Sequence, residues 1–382
     1  SSVDRMSGED EKVAELRALV SSHLTQYYDT HFNLLRWIQG HPGVPTEKIA
    51  QRLRHHLLFR ASAWQIDSML ERERGYHPVH RHWPKSRCGM SGVIPNCVVH
   101  VEQSGFIDFE GIVDNFSITE VIKARIHDIE EMLADVMIIE KETGKQASIM
   151  YVTDASGVEY SKKLFDQVMR SMRPLSEFMA DHYVELVNHL VVVNVPAWAN
   201  ALWMMVKPLL PERTRQKVRM LSSSNWRDEI PSLMDPSIAP IFWNDVNHSD
   251  FKFCLERPPR VDPIDVKEPI EKLEQLQVKA GKVHWMEYQL DKGDVITFYI
   301  TGNAVFGFSI VHVENEEEDV LAMRQLHPHI AGMPGPLKVP VQDTLVIPQS
   351  GLYKVWFSNT SAWWSSATIQ HCIKVIRNQA IE

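Results

Sequence analysis

The chain has 382 residues, 44% of them hydrophobic, enough for two or three packed domains and incompatible with a disordered polymer. A formal charge of −9 excludes general nucleic-acid binding, which needs a net basic surface to displace counterions. The four cysteines (Cys88, Cys97, Cys254, Cys372) have no C-x-x-C spacing, so no disulfide framework or zinc ribbon is expected and the setting is read as a reducing cytosol.

The opening SSVDRMSGEDEK lacks the apolar core of a secretory signal, and residues 1–10 are expected to be disordered. A helical lobe is predicted over 11–75. Val13, Leu16, Val20 and Leu24 form one stripe, and Ile49, Leu53, Leu57, Ala61 and Trp64 another. Between them, HFNLLRWIQ reads as a short helix stopped by Gly40 and Pro42. Arg52, His56 and Arg60 make a basic stripe without an aromatic platform, read as a solvated face. His77, His80 and His82, near Cys88, fit no zinc spacing and are read as surface polar residues, so no metal or cofactor is expected.

Over 76–248 the strand candidates NCVVHVEQ, ASIMYVTD and LVVVNV alternate with helical stretches at 118–142 and 161–182, which predicts a largely parallel sheet covered by helices. CGMSG around Ser91 is not a G-x-S-x-G elbow, no glycine-rich phosphate loop occurs, and Asp154 at a strand end names no chemistry; no catalytic residue is assigned and the chain is read as a non-enzyme. Leu190 to Leu210 is the most apolar run. Its first part suits a buried strand, and Ala197 to Val206, after Pro196, suits a helix apolar on every side. Such a helix is either wholly buried in a core or meets the domain on one face and lipid on the other. Pro196, Pro208 and two asparagines argue against a membrane span.

Prolines among charges in ERPPRVDPIDVKEP mark a linker, placed at 249–273. Over 274–378, VHWMEYQL, VITFYITG, FGFSIVHV, GLYKVWFS and TIQHCIKV alternate at period two and predict an all-β sandwich, with Glu316 to Asp319 in a solvated hairpin loop.

This order of helical lobe, α/β domain, proline-rich linker and β-sandwich resembles the CRAL-TRIO and GOLD proteins. HYVELVNHLVVVNVPAWANALWMMVKPLLPERTRQKVRML is similar to the family stretch with a YPE motif, a strand ending in N-x-P, a mobile gate helix and a basic helix after K-P-x-L. IPQSGLYKVWFSNTSAWWSSATIQHCIKV is similar to the closing hairpin of GOLD domains, through Gly351, Tyr353, Phe357 and Asn359. The resemblance implies a multidomain protein with a helical lobe, an α/β CRAL-TRIO domain (76–248) and a GOLD sandwich. It implies a lipid cavity gated by Trp198, Leu202, Trp203, Met205 and Val206.

By the same resemblance, Glu185, Thr214 and Lys217 would hold an inositol phosphate, with Arg36 the one arginine kept from the lobe's LLRFLRAR-type segment. Val184 replaces the motif's proline, and Trp243 and Asn244 replace the family's glycine pair. Losing phosphate partners favours tocopherol, squalene or another isoprenoid over phosphatidylinositol or other phospholipids. Lys207, Arg213 and Arg215 beside the gate, and the adjacent Trp363 and Trp364, are read as membrane contacts. The expected protein carries a hydrophobic lipid without cofactor, is cytoplasmic, and visits membranes peripherally, Golgi or endosomal ones included. A signalling or trafficking adaptor that recruits a protein partner through the GOLD surface is the alternative.

Overall fold

The structure, a computed structural model, describes residues 8–167, 170, 173–257 and 272–379. The lobe has three helices, α1 (Gly8–Val20), α2 (His31–Gly40) and α3 (Thr46–Arg60). The predicted stripes are its core: Val13, Leu16, Val20, Ile49, Leu53 and Leu57 are buried around Leu34 and Trp37. Thr30 caps α2 by accepting from the Asn33 amide at 3.1 Å. Two expectations are corrected. Gly8 to Asp10 are already helical, and residues 1–7 lie outside the described ones. Helix α3 stops at Arg60, so Ala61 leaves the stripe and is exposed.

Of the basic stripe of α3, only Arg52 is on a solvated face. His56 and Arg60 are buried, and Arg60 donates to both Glu130 oxygens at 2.5 and 3.1 Å and to Asp67 at 2.6 Å. A buried charge persists only when paired, and Glu130 on the following domain supplies the pair.

The α/β domain orders its sheet β1-β2-β3-β4-β5, comprising β1 (Lys85–Met90), β2 (Cys97–Gln103), β3 (Ser148–Asp154), β4 (Val187–Val195) and β5 (Val218–Ser222). Strands β2 to β5 are parallel and β1 is antiparallel. After the short α4 (Phe109–Asn115), the 26-residue α5 (Ile118–Thr143) starts with a capping box between Ser117 and Glu120 and ends at Gly144, whose φ of 68° suits glycine. It lies over one sheet face through Met132, Leu133 and Val136, while Trp226 and Trp243 cover the other through Val99, Val101, Met150, Val152 and Val191.

The remaining helices are α6 (Lys162–Gln167), α7 (Arg173–His182), α8 (Ala197–Val206), α9 (Glu212–Lys217) and α10 (Trp226–Glu229). The basic helix after K-P-x-L ends at Lys217, and Arg219 stands on β5. Residues 249–257 also differ from the linker reading. Phe251 is buried in the α/β core and Phe253 bridges Pro240, whereas 258–271 lie outside the described residues.

The C-terminal domain stacks two antiparallel sheets, β10-β9-β12-β7 and β11-β8-β13-β6. Its strands are β6 (Glu274–Val278), β7 (Val283–Leu290), β8 (Val295–Gly302), β9 (Phe306–Val313), β10 (Arg324–Met333), β11 (Val341–Val346), β12 (Gly351–Ser358) and β13 (Ala367–Ile376). All five alternating segments are strands, and Phe298, Phe308, Tyr353 and Phe357 fill the space between sheets. The sandwich packs on the rest of the chain through α3, α5 and α7. The Trp64 indole donates to Asp343 at 3.0 Å, Lys123 pairs with Asp343 at 2.9 Å, and the Ala63 amide donates to the Leu326 carbonyl at 3.0 Å.

Candidate functional site

A cavity of about 1560 Å³ opens between the sheet face under α5, helix α7 and the end of the lobe. Strand alternation builds its floor. On β2 and β3 one face runs from Val98 and Ile149, buried beneath α5, to His100 and Tyr151 and then to Glu102 and Thr153, while β4 contributes Val187 and Leu190. Ile129 and Met132 of α5 and Leu175, Phe178 and Met179 of α7 make apolar walls. β10 packs on α7, where an added Cβ at Gly332 would sit 3.2 Å from Pro174, and itself lines the cavity through His329, Ala331 and Gly332. The sandwich thus buttresses a cavity wall.

Inside, Glu102 accepts from the Trp83 indole at 2.7 Å and from the Tyr151 hydroxyl, with Arg125 alongside donating to Tyr151 at 3.1 Å and to Asp128 at 3.1 Å. Burial pushes the Tyr151 phenol well up, so it stays a neutral donor.

At the lobe end of the cavity Glu185 accepts from Arg213 at 2.6 Å and Lys217 at 3.2 Å, and Thr214 lines the same mouth. Glu185 sits at φ 55° directly after Val184, whose methyl fills the space beside Gly40. A Cβ on Gly40 would fall 2.0 Å from Val184 Cγ1, so the residue read as a helix stop also permits the close approach that places Glu185. Arg213 additionally donates to the Gln39 carbonyl at 2.7 Å. Lys48 and Arg52 of α3 line the cavity nearby, as does His41, whose pKa is lowered by burial first and by Arg52 and Arg213 next.

The structure therefore brings Glu185, Thr214 and Lys217 together and adds Arg213, which the sequence reading had assigned to the membrane. It removes Arg36. That guanidinium is buried and forks onto Glu140 at 2.7 and 3.0 Å, with Asn33 accepting a further bond, so it cannot serve a headgroup. Lys207 is exposed and Arg215 half-buried.

Helix α8 starts after Pro196, as expected, and has no buried residue. Trp198, Leu202, Trp203 and Val206 are half-buried on its inner side, where it packs on β5, and Trp198 meets the Tyr160 ring at 5.5 Å. Met204 and Met205 are 60% and 71% exposed on the other side. The large cavity's lining includes none of 196–210. The fully buried alternative for this helix is thus excluded.

The other sequence candidates are structural. Asp154 is buried and accepts from the Trp243 indole at 3.0 Å and the Ser156 amide at 2.9 Å. Ser91 donates to the Leu233 carbonyl and receives the Ile94 amide. His80 and His82 are buried rather than superficial, and both ring nitrogens of His80 face carbonyl oxygens, of Arg74 and Ala124. Among the described residues, His127, Asp128 and Glu131 lie close enough to share a cation, but Arg74, Arg125 and Lys85 already crowd Asp128. Burial pushes the Cys88 thiol up to about 12 and the Cys97 thiol to about 11, so both are unreactive. No helix among the described residues is long and apolar enough to cross a membrane.

A largely parallel sheet with one large cavity of mixed polar and apolar lining and a loosely packed apolar helix beside it can receive a guest that has both an apolar part and a polar end. Residues 96–244 match the CRAL/TRIO domain family, and residues 260–381 match a family described as F28H7_8_C:-like, C-terminal domain. The chain thus carries a CRAL/TRIO domain, a lipid-binding module, joined to a second, all-β domain. It is similar to the CRAL-TRIO domain-containing protein F28H7.8 of Caenorhabditis elegans, 27% identical over 77% of this chain and 73% of the relative. Protein ctg-1 of the same organism is 23% identical over 96% of both chains. The phosphatidylinositol/phosphatidylcholine transfer protein SFH11 of Arabidopsis thaliana is 24% identical over 66% of this chain and 67% of its own. Among solved structures, the crystal structure of Sfh5 aligns at 16% identity and a TM-score of 0.41, over 64% of this chain and 75% of that one.

Proposed function

We propose that this chain is a lipid carrier. It takes one lipid with the apolar part in the chamber and an anionic headgroup at the mouth formed by Glu185, Arg213, Thr214 and Lys217. It exchanges that lipid at membrane surfaces it visits from the cytoplasm. The observation that carries this is the chamber itself. This half-open cavity of about 1560 Å³ exceeds the roughly 300–1,000 Å³ of pockets for drug-sized ligands, and an apolar part lined by Ile129, Met132, Leu175, Phe178 and Met179 adjoins a part lined by charged and polar side chains.

Each methylene removed from water is worth about 0.8 kcal/mol, so a long chain contributes roughly 10 kcal/mol of gross driving force and leaves for water slowly. Exchange then belongs at a bilayer, and α8 is suited to meet one, with Met204 and Met205 already outward and Trp198 and Trp203 behind them.

At the mouth, two cations face one carboxylate, which leaves net positive charge for a phosphate. Arg213 stands in for the lobe arginines, so a phospholipid suits the mouth better than tocopherol or squalene. The test is native mass spectrometry of protein purified from several hosts, followed by uptake of fluorescent phosphatidylinositol, phosphatidylcholine and tocopherol from vesicles. Protein that never carries lipid and never accepts any of the three ends the carrier reading. Preference for tocopherol ends the headgroup reading alone. Met204→Asp with Met205→Asp is expected to slow transfer while leaving the melting temperature unchanged, because both side chains are exposed.

A further inference from the structure

The far turn of the C-terminal sandwich exposes Trp363 and Trp364, at 86% and 95%, more than any other large aromatic side chain among the described residues. They are displayed by a braced turn. Asn359 is buried and its side-chain amide donates to the carbonyls of Val278 and Ser365 at 3.0 and 2.9 Å. Its backbone joins the neighbouring β6–β7 turn, accepting from the Gly281 amide and donating to the Lys282 carbonyl, both at 2.9 Å. That second turn reads Lys279-Ala280-Gly281-Lys282, with both lysines exposed. Neither turn contains an aspartate or glutamate, although the chain as a whole is acidic. Val283 and Trp285, 38% and 37% exposed, continue the apolar surface along the edge strand β7.

The geometry points to this tip as a membrane anchor of the second domain, with Trp363 and Trp364 entering the interfacial layer of an anionic bilayer and Lys279 and Lys282 meeting its headgroups. Tryptophan combines an apolar body with an N–H that finds partners at headgroup depth, and it concentrates there for that reason. Two cations within one turn of the pair choose the sign of the surface. A protein partner of equal size would call for charges of both signs around the rings, whereas the two turns carry lysines and no acidic side chain. The anchor requires no guest in the chamber and is separate from lipid carriage.

The test is flotation of the full chain with vesicles of phosphatidylcholine alone or with added phosphatidylserine, read together with tryptophan quenching by brominated phosphatidylcholine. Trp363→Ser with Trp364→Ser should lower binding roughly tenfold or more and remove most of the quenching. Lys279→Gln with Lys282→Gln should cost about fivefold per lysine on phosphatidylserine vesicles and nothing on pure phosphatidylcholine. All four side chains are exposed, so melting temperatures should not move. Wild-type protein that does not float, or a tryptophan pair variant that floats and quenches like wild type, overturns the anchor; the first result would leave the tip to a protein partner.

Discussion

Replacing both mouth cations, Arg213→Ala with Lys217→Ala, should separate headgroup recognition from chamber filling. A hydrogen bond from a charged donor is worth about 1.5–3 kcal/mol net. Arg213 is 44% exposed and belongs at or below the lower end, while Lys217, at 23%, belongs nearer the middle. Together they are worth about 3 kcal/mol toward a phosphate, or roughly a hundredfold in affinity. A further loss follows because Glu185, 15% exposed, would then face the phosphate with no cation of its own. Adding Glu185→Leu to the double variant should return part of that loss for phosphatidic acid, which has only a phosphate to offer. It should not do so for phosphatidylinositol, whose ring hydroxyls need an acceptor. The assay is vesicle-to-vesicle transfer of pyrene-labelled phosphatidic acid, phosphatidylinositol and phosphatidylcholine by each variant. Equal losses for zwitterionic and anionic lipids would refute the reasoning, as would unchanged transfer of the anionic ones.

Gly40→Ala should destabilise the chain by about 1–3 kcal/mol through overpacking against Val184, and should lower phosphatidylinositol transfer more than phosphatidylcholine transfer because Glu185 moves with it. Glu130→Ala leaves the Arg60 guanidinium buried with Asp67 as its one remaining carboxylate and should cost about 3–5 kcal/mol in urea unfolding; Arg60→Met with Glu130→Leu should be far milder. At the junction of α3, α7 and β10, burial first, then neighbouring histidines, hold His56 and His182 well below the ordinary value of 6.5 and His329 at about 3. The unfolded chain therefore gains protons that the folded chain refuses. Stability is full above pH 6.5 and falls as pH drops from there toward 3, so His329→Gln should flatten the urea midpoint between pH 6.5 and 4.5.

Period and punctuation made most of the architecture readable. Pro196 set the start of α8, Gly40 the end of α2, and strict alternation gave five strands of the sandwich. Of the other three, β6 is short and polar as EQLQV, Pro328 interrupts β10, and polar residues interrupt β11. Strand β5 escaped because VRMLS follows a basic helix without a break. The mouth was half legible. Glu185, Thr214 and Lys217 came from the motif, but Arg213 needed the turn from α8 into α9, and Arg36 looked available until Glu140, 104 residues away, was seen to claim it. His56 and Arg60 failed for the same reason, since a polar side chain on a helix carries no sign of whether its partner is water or a buried acid on another domain. A further signal is that His100, Glu102, Tyr151 and Thr153 occupy alternate positions of two strands, on one face, which marks a sheet face that does not meet an ordinary core.

The chain concentrates its strong interactions away from the helix that would move. The lobe, α5, α7 and the sandwich share the Arg60–Glu130 pair, the Trp64–Asp343–Lys123 contact and one continuous apolar cluster. By contrast, α8 has no buried residue. Cooperative units with few buried contacts open at low free-energy cost while the rest stays folded. A chamber whose wall α7 is backed by a second domain can therefore hold its shape when α8 lifts. Loosening that backing should then damage lipid retention before it damages uptake. Asp343→Ala, which removes the acceptor for both Trp64 and Lys123, is the direct way to see it: lipid should leak faster to acceptor vesicles, and the on-rate should stay near that of the wild type. A slower on-rate with unchanged leakage would mean that α7, and not α8, is the part that opens.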